Sequence, residues 1–325
     1  MRSAKVLHLI DDVSYVQRNC FQHQLMLAFQ RSRHKVTTRS LNDLLWGRCF
    51  KDEYDVVVSC LKQRTLKQHI DVIAPRLMDV PISVYDQDPW ESFKLNGPCT
   101  GAYDEIRRHL GNDVRFCVTT EWWADYLTKQ GYSSTFVSMW MLPEYCTEKV
   151  DWEHRSTSVG FFGSLHPRRK RLVTVLEDSG ISVRLGKESN YQNFLNLLSD
   201  TQIFVHSEDE GFLLQSGELA NMSFGMLVKD IEAAARGCWS VRNHCDEGDP
   251  GSYLEEVETV RFYDDVKDAP DIINEIHQMD PEERQAHIDR TIRHVRSENR
   301  WRQTVERLVS ASFEEQIGSS TEPLS

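Results

Sequence analysis

Val159-Gly160-Phe161-Phe162-Gly163-Ser164-Leu165-His166-Pro167-Arg168-Arg169-Lys170-Arg171 lies close to the middle of the chain. An apolar run ends in Gly163-Ser164, a proline and four basic residues follow, and an amphipathic segment continues to Glu177. That order predicts a buried strand, a tight turn and a helix with proline in its first turn. A glycine at such a turn lets a ligand approach the backbone, and a helix N-terminus offers unpaired N–H groups to an anion. With Arg168 and Arg169 alongside, Gly163 and Ser164 are expected to meet a phosphate or pyrophosphate. A second nucleotide-binding-type unit begins here, after a first that starts at Lys5.

The length of 325 residues suits two such units, each of roughly 150 residues and large enough for its own core. A net charge of −12 argues against general nucleic-acid binding, which needs a basic face, and leaves only the local run Arg168 to Arg171 as a basic cleft. No apolar run approaches the ~20 residues of a membrane span, and no signal peptide is evident. The eight cysteines, Cys20, Cys49, Cys60, Cys99, Cys117, Cys146, Cys238 and Cys245, form no CxxC pair. They read as reduced thiols of a cytoplasmic protein. Cys238 and Cys245 with His244 lack the remaining ligands of a zinc site.

Outward from the opening stretch, apolar strands alternate with helical patterns. Strands are expected at Lys5–Ile10, Lys35–Thr38, Tyr54–Ser59, Pro81–Tyr85, Val114–Thr119 and Thr135–Met141. Helices are expected at Arg18–Ser32, Leu66–Met78 and Glu121–Gln130, the last capped by Thr119-Thr120. The pattern restarts at Val159, with strands to Phe162 and at Ile181–Leu185, Gln202–His206, Cys238–Arg242 and Val260–Tyr263. Helices are expected at Arg169–Glu177, Tyr191–Leu198, Lys229–Arg236, Ala269–Met279, and from Pro281 through Val309 with a break near Ser297-Glu298. Ser207 to Val228 reads as a long loop and Gly248 to Gly251 as a turn. Apolar strands separated by helices imply parallel sheets covered on both faces. The expected organisation is an N-terminal α/β domain at 1–147, a linker at 148–158, and a second domain at 159–310 whose last helix returns to the first. A polar tail at 311–325 completes it.

Val159 to Gly186 resembles the donor-domain opening of CgeB-like glycosyltransferases, part of the broad glycosyl transferases group 1 superfamily. The resemblance continues at Lys229-Asp230-Ile231-Glu232-Ala233-Ala234-Ala235-Arg236-Gly237-Cys238, then from Asp246 to Tyr263 and along the terminal helix to Trp301-Arg302. It covers about half of the chain. It implies a GT-B fold, two Rossmann-like domains facing each other across a cleft, and metal-independent transfer of a sugar from a nucleotide-sugar donor. The donor implied is a UDP-, GDP- or dTDP-sugar, with no further cofactor. The acceptor, a glycan, a small molecule or a modified base, is not legible. Gly163, Ser164, Arg168, Arg169 and Lys229 are the candidates for the diphosphate, and Glu232 for the ribose hydroxyls. Glu232 is expected near the surface of the open cleft. Retaining members of the superfamily often carry a second glutamate eight positions earlier; Phe224 stands there, so retention or inversion stays open.

In the first unit, Asp86 and Asp88 follow a strand, beside Trp90. Asp11 and Asp12 follow the first strand. Ligands bind at the carboxyl ends of such strands, so these four acids are the candidates to handle the acceptor hydroxyl, Asp86 and Asp88 ahead of the others. Three rival readings exist. Asp86-Gln87-Asp88 matches the Asp-x-Asp of metal-dependent, single-domain GT-A transferases, which leaves the second α/β half unexplained. Leu9-Ile10-Asp11-Asp12 resembles a response-regulator receiver, but Ser59-Cys60 stands where the phosphorylated aspartate is required. A catalytically silent GT-B protein that only binds a nucleotide or glycan is the third. No GxGxxG or Walker motif supports a dehydrogenase or ATPase.

Overall fold

The computed structural model describes residues 2–12, 20–47, 54–77, 80–147, 151–188, 190–207, 209–213, 219–223, 228–244, 257–296 and 298–313. The turn at 248–251, the tail beyond Phe313, and positions Phe224 and Cys245 lie outside them.

Two parallel sheets organise the chain. The first has the order β2-β1-β3-β4-β5-β6, built from β1 (Lys5–Ile10), β2 (Lys35–Ser40), β3 (Val56–Ser59), β4 (Ile82–Asp86), β5 (Arg115–Val118) and β6 (Ser134–Phe136). Its helices are α1 (Cys20–Gln30), α2 (Leu41–Leu45), α3 (Gln63–Leu77), α4 (Ala102–Leu110) and α5 (Glu121–Lys129). Val56, Val57 and Val58 are fully buried, as a strand covered by helices on both faces requires. Thr120 caps α5, its side chain accepting from the Trp123 amide, and Trp123 is fully buried in the core.

The second sheet contains β7 (Thr157–Phe162), β8 (Val183–Gly186), β9 (Thr201–His206), β12 (Trp239–Asn243) and β13 (Val260–Tyr263), with β10 (Asp209–Leu213) and β11 (Leu219–Ser223) lying outside it. The order is β13-β12-β9-β7-β8. Its helices are α6 (Pro167–Asp178), α7 (Tyr191–Ser199), α8 (Val228–Ala235), α9 (Ala269–Gln278) and α10 (Pro281–Val295). Arg169, Leu172, Val173 and Leu176 are the buried positions of α6, the i, i+3, i+4, i+7 stripe of an amphipathic helix.

The glycines of the opening stretch have a packing reason. A Cβ built on Gly160 would lie 2.6 Å from the Phe162 ring, and one on Gly186 would lie 3.0 Å from it. The two glycines form a slot in which the ring folds back over its own strand and stacks on Phe204, centroids 6.1 Å apart.

Three expectations are corrected. The stretch from Ser207 to Val228 is not simply a loop. Asp209–Leu213 and Leu219–Ser223 pair antiparallel as β10 and β11, with Gly211 opposite Asn221. The strand placed at Thr135–Met141 ends at Phe136. Beyond it Val137, Met139 and Leu142 enter the core beneath the first sheet, while Trp140, Met141 and Cys146 enter that of the second. Trp140 and Met141 are adjacent yet enter the same core, whereas neighbouring residues of a strand face opposite sides. Finally, α2 and α4 went unread, although Tyr103 and Ile106 carry the buried spacing of α4.

The last helix, α11 (Glu298–Ala311), leaves the second unit and packs on the first. Trp301, Val305, Leu308 and Val309 share one core with Val6, Phe29 and Val58. At the corner between α10 and α11, the Arg300 guanidinium lies 4.2 Å from the Trp140 ring centroid. Among the described residues, no helix is long and apolar enough to cross a membrane.

Candidate active site

In both sheets the strand order reverses next to the first strand, between β1 and β3 and between β7 and β9. Such switch points leave a crevice at the carboxyl ends of the strands, where open α/β sheets bind ligands.

At the second switch point, the loop after β7 begins with Gly163, whose amide donates to the Gly186 carbonyl at 2.9 Å. Ser164 follows half-buried. Arg169 departs from its expected role. It is buried, its Nε donates to the Ser207 carbonyl at 2.9 Å and its Nη1 to the Ser164 carbonyl at 3.2 Å. It therefore ties the loop after β7 to the loop after β9 and shapes the crevice, with two of its nitrogens committed to backbone. Arg168, half-buried in the first turn of α6, is the arginine left facing outward from that apolar stripe; Lys170 and Arg171 are exposed.

Lys229 and the Gly163 loop, 66 positions apart in sequence, meet here. A Cβ built on Gly163 would lie 3.5 Å from Lys229 Nζ. Lys229 is the second residue of α8, so its ammonium and the helix N-terminus add positive potential beside a side-chain-free backbone. Glu232, one turn further on, is 5% exposed. The expectation of a carboxylate near the surface is thus corrected. α8 is pressed against the sheet, with Ala233, Ala234 and Ala235 fully buried beside it.

Between these two, Asp230 was not singled out by sequence. It is fully buried and accepts from Arg242 Nη1 at 2.6 Å, His206 Nε2 at 2.7 Å and Ser240 Oγ at 2.5 Å. Burial alone raises a carboxyl pKa. Here His206 and Arg242 overcome it and hold Asp230 well below the ordinary carboxylate range. The node pins the first turn of α8 to β9 and β12, and with it the placement of Lys229 and Glu232.

At the first switch point, Asp11 is buried and accepts weakly from Gln22 Nε2 at 3.5 Å, while the same nitrogen donates to the Cys60 carbonyl at 2.9 Å. Burial raises the Asp11 pKa, with Gln22, Thr65 and Lys62 opposing. Asp12 is exposed. Two strands away in the sheet, at the end of β4, Asp86 accepts from Tyr103 Oη at 2.6 Å, from the Asp88 amide at 3.0 Å and from Gln63 Nε2. Burial pushes its pKa up. Asp88 accepts from Trp90 Nε1 at 3.4 Å, and burial, then the neighbouring Asp86 and Glu91 charges, push it up to about 7. Asp86 is held and holds; Asp88 is the carboxyl poised near neutrality, the pKa a general base needs. Both Asp86 oxygens accept from N–H or O–H groups. Among the described residues no group of three His, Cys, Asp or Glu side chains is arranged to hold a metal.

No protein-family model matches the chain, and no curated protein matches it by sequence. Solved structures do match in fold. HepE of Anabaena, crystallised in complex with UDP and glucose, is 12% identical, with 95% of this chain and 100% of that one covered and a TM-score of 0.56. An alpha-glucosyltransferase in complex with UDP and a 13-mer DNA containing a HMU base is 9% identical, with 96% and 100% covered and a TM-score of 0.60. The trehalose-6-phosphate synthase OtsA is 8% identical, with 96% and 99% covered and a TM-score of 0.56. The chain has the GT-B fold, α/β with two Rossmann-like domains. The single-domain GT-A arrangement is thereby set aside.

Proposed function

We propose that the protein is a metal-independent glycosyltransferase that takes a nucleotide-sugar donor at the β7–β9 crevice and an acceptor at the β3–β4 edge. The approach of Lys229 Nζ to the Gly163 backbone carries the reading. Two motifs that separately suit a diphosphate come together at a helix N-terminus, on a fold whose solved examples include proteins crystallised with UDP. UDP-sugars are accordingly the first donors to test, ahead of GDP- and dTDP-sugars. In this reading Lys229, Arg168 and the α8 amides meet the diphosphate, Gly163 and Ser164 border it, and Glu232 accepts from the ribose hydroxyls.

In transfer, the bond from the anomeric carbon to the diphosphate breaks and a bond to the acceptor oxygen forms. The acceptor proton passes to Asp88. The charge growing on the leaving diphosphate is stabilised by Lys229, Arg168 and the helix end, preorganised dipoles that need no metal. Donor hydrolysis and transfer with a UDP-sugar should persist in EDTA. Complete loss in EDTA, restored by manganese or magnesium alone, would overturn metal independence. Absence of turnover with every donor, despite binding, would mark a catalytically silent nucleotide-binding protein.

Asp88 gives the reaction a pH signature. A base must be unprotonated, so transfer should rise with pH through about 7. Asp88→Asn should remove that limb and lower transfer by about 10²–10⁴-fold, with UDP affinity unchanged. Because the folded protein holds this proton more tightly than the unfolded chain, the associated stability is complete below about pH 4 and is lost as the pH climbs through 7. Asp88→Asn should therefore raise the unfolding temperature at pH 8. Wild-type transfer and an unchanged pH profile in this variant would remove Asp88 from the mechanism.

A further inference from the structure

The two main sheets end in four edge strands, and three of them are short. β6 has three residues, and β8 and β13 have four each, a length that leaves an added strand little to pair with. β2 differs. It runs for six residues, Lys35–Ser40, at the end of the first sheet, and among the described residues it pairs only with β1. The Lys35 amide donates to the Ala4 carbonyl at 2.9 Å, so Lys35, Thr37 and Arg39 turn their backbone groups toward β1. Alternate residues of a parallel strand point the other way. Val36 and Thr38 therefore present N–H and C=O groups outward, where no backbone group among the described residues meets them.

An open strand edge is a template for another strand, and the residues of β2 fit a second copy of itself. Lys35-Val36-Thr37-Thr38-Arg39-Ser40 holds no proline, and Val36, Thr37 and Thr38 are β-branched. Two copies related by a two-fold axis meet antiparallel, outward residues facing outward residues. Centred on Thr37, the pair would set Lys35 of each copy against Arg39 of the other, like charges directly opposite. Centred on Thr38, it places Val36 opposite Ser40 and Thr37 opposite Arg39, and no like charges meet. The two cations thus select one register. Apolar surface is at hand as well. α2 follows β2 without a break and is capped by Trp46, which is 78% exposed, a residue type enriched where interfaces concentrate their binding energy.

We propose that the outer edge of β2 is a homodimer interface, in which two copies of the chain pair antiparallel about Thr38 and join their first sheets into one. The two Thr38 residues exchange N–H···O=C bonds across the axis, and each Val36 amide donates to the Ser40 carbonyl of the other copy. The Ser40 amide is held by the Asp43 carboxylate at 3.2 Å and stays with its own chain. The inference is independent of the glycosyltransferase reading.

Sedimentation velocity of the full chain over a concentration series tests it, and the expected result is a reversible monomer–dimer equilibrium. Thr38→Pro removes the central outward N–H. An edge strand tolerates proline where the N–H faces away from the sheet, so this variant should be a folded monomer at every concentration. Thr37→Glu places a carboxylate opposite Arg39 and should tighten the dimer. Thr37→Lys opposes like charges and should weaken it, each change being about 2- to 30-fold for two cross-strand pairs. Opposite signs at one position are an outcome that a folding defect would not produce, and they decide the matter should Thr38→Pro fail to fold. A chain that is monomeric throughout, a dimer that persists in folded Thr38→Pro, or Thr37→Glu and Thr37→Lys shifting the same way would overturn the proposal.

Discussion

Asp230→Ala is expected to destabilise the protein by about 3–5 kcal/mol, the range for removing one partner of a buried ion pair and leaving the other charged and unpaired. Arg242 and His206 both point at this carboxylate, and neither is reachable by solvent, since each is at most 1% exposed. Asp230→Ala combined with Arg242→Met should cost less than Asp230→Ala alone, because the stranded guanidinium is then gone. The effect carries a pH dependence of known sign. The Asp230 pKa lies well below that of the unfolded chain, so the stability it confers is complete above about pH 5 and is lost as the pH falls. Denaturant titrations of the three proteins at pH 7.5, and of the unaltered protein on acidification, measure both. A loss under about 1 kcal/mol in Asp230→Ala would contradict the role of this node.

Glu232→Ala is expected to weaken UDP binding by about ten- to a hundredfold, the loss of a carboxylate hydrogen bond worth about 1.5–3 kcal/mol. Because Glu232 is buried, truncation also opens a space beneath α8, so Glu232→Gln is the better probe. It keeps the shape and one acceptor oxygen, and should retain part of the affinity that the alanine variant loses. Calorimetric titration with UDP, beside a far-ultraviolet spectrum confirming the fold, separates binding from stability. Unchanged UDP affinity in folded Glu232→Ala would withdraw the ribose contact.

Much of the fold was legible because its strands are short apolar runs closed by polar turns. Val56-Val57-Val58 is the plainest, and Thr120 caps a helix as its residue type foretells. The β10–β11 pair was not legible. Asp209-Glu210-Gly211-Phe212-Leu213 and Leu219-Ala220-Asn221-Met222-Ser223 hold no β-branched residue, and a two-stranded ribbon outside the main sheet leaves little mark on local composition. The site divides in the same way. Lys229 and Gly163 came from motif order, but four consecutive basic residues look alike in sequence. What tells Arg169 from Arg168 is helical phase: Arg169 begins the stripe continued by Leu172, Val173 and Leu176, and that pattern was available. Asp230 gave no comparable sign, since its partners Arg242 and His206 lie 12 and 24 positions away on two other strands. The hydrogen bond from Gln63 to Asp86 was invisible for the same reason, since the fold alone brings the two near.

The central claim is that the crevice between β7 and β9 binds a nucleoside diphosphate through Lys229 and the Gly163 loop. Calorimetric titration of the full chain with UDP in EDTA, repeated with Lys229→Ala, tests it most directly. The account predicts saturable binding at one site per chain, weakened about tenfold or more in the variant, as the loss of a charge-assisted contact of about 1.5–3 kcal/mol requires. Absence of binding to UDP, GDP and dTDP alike, or UDP binding of equal strength in folded Lys229→Ala, would contradict it.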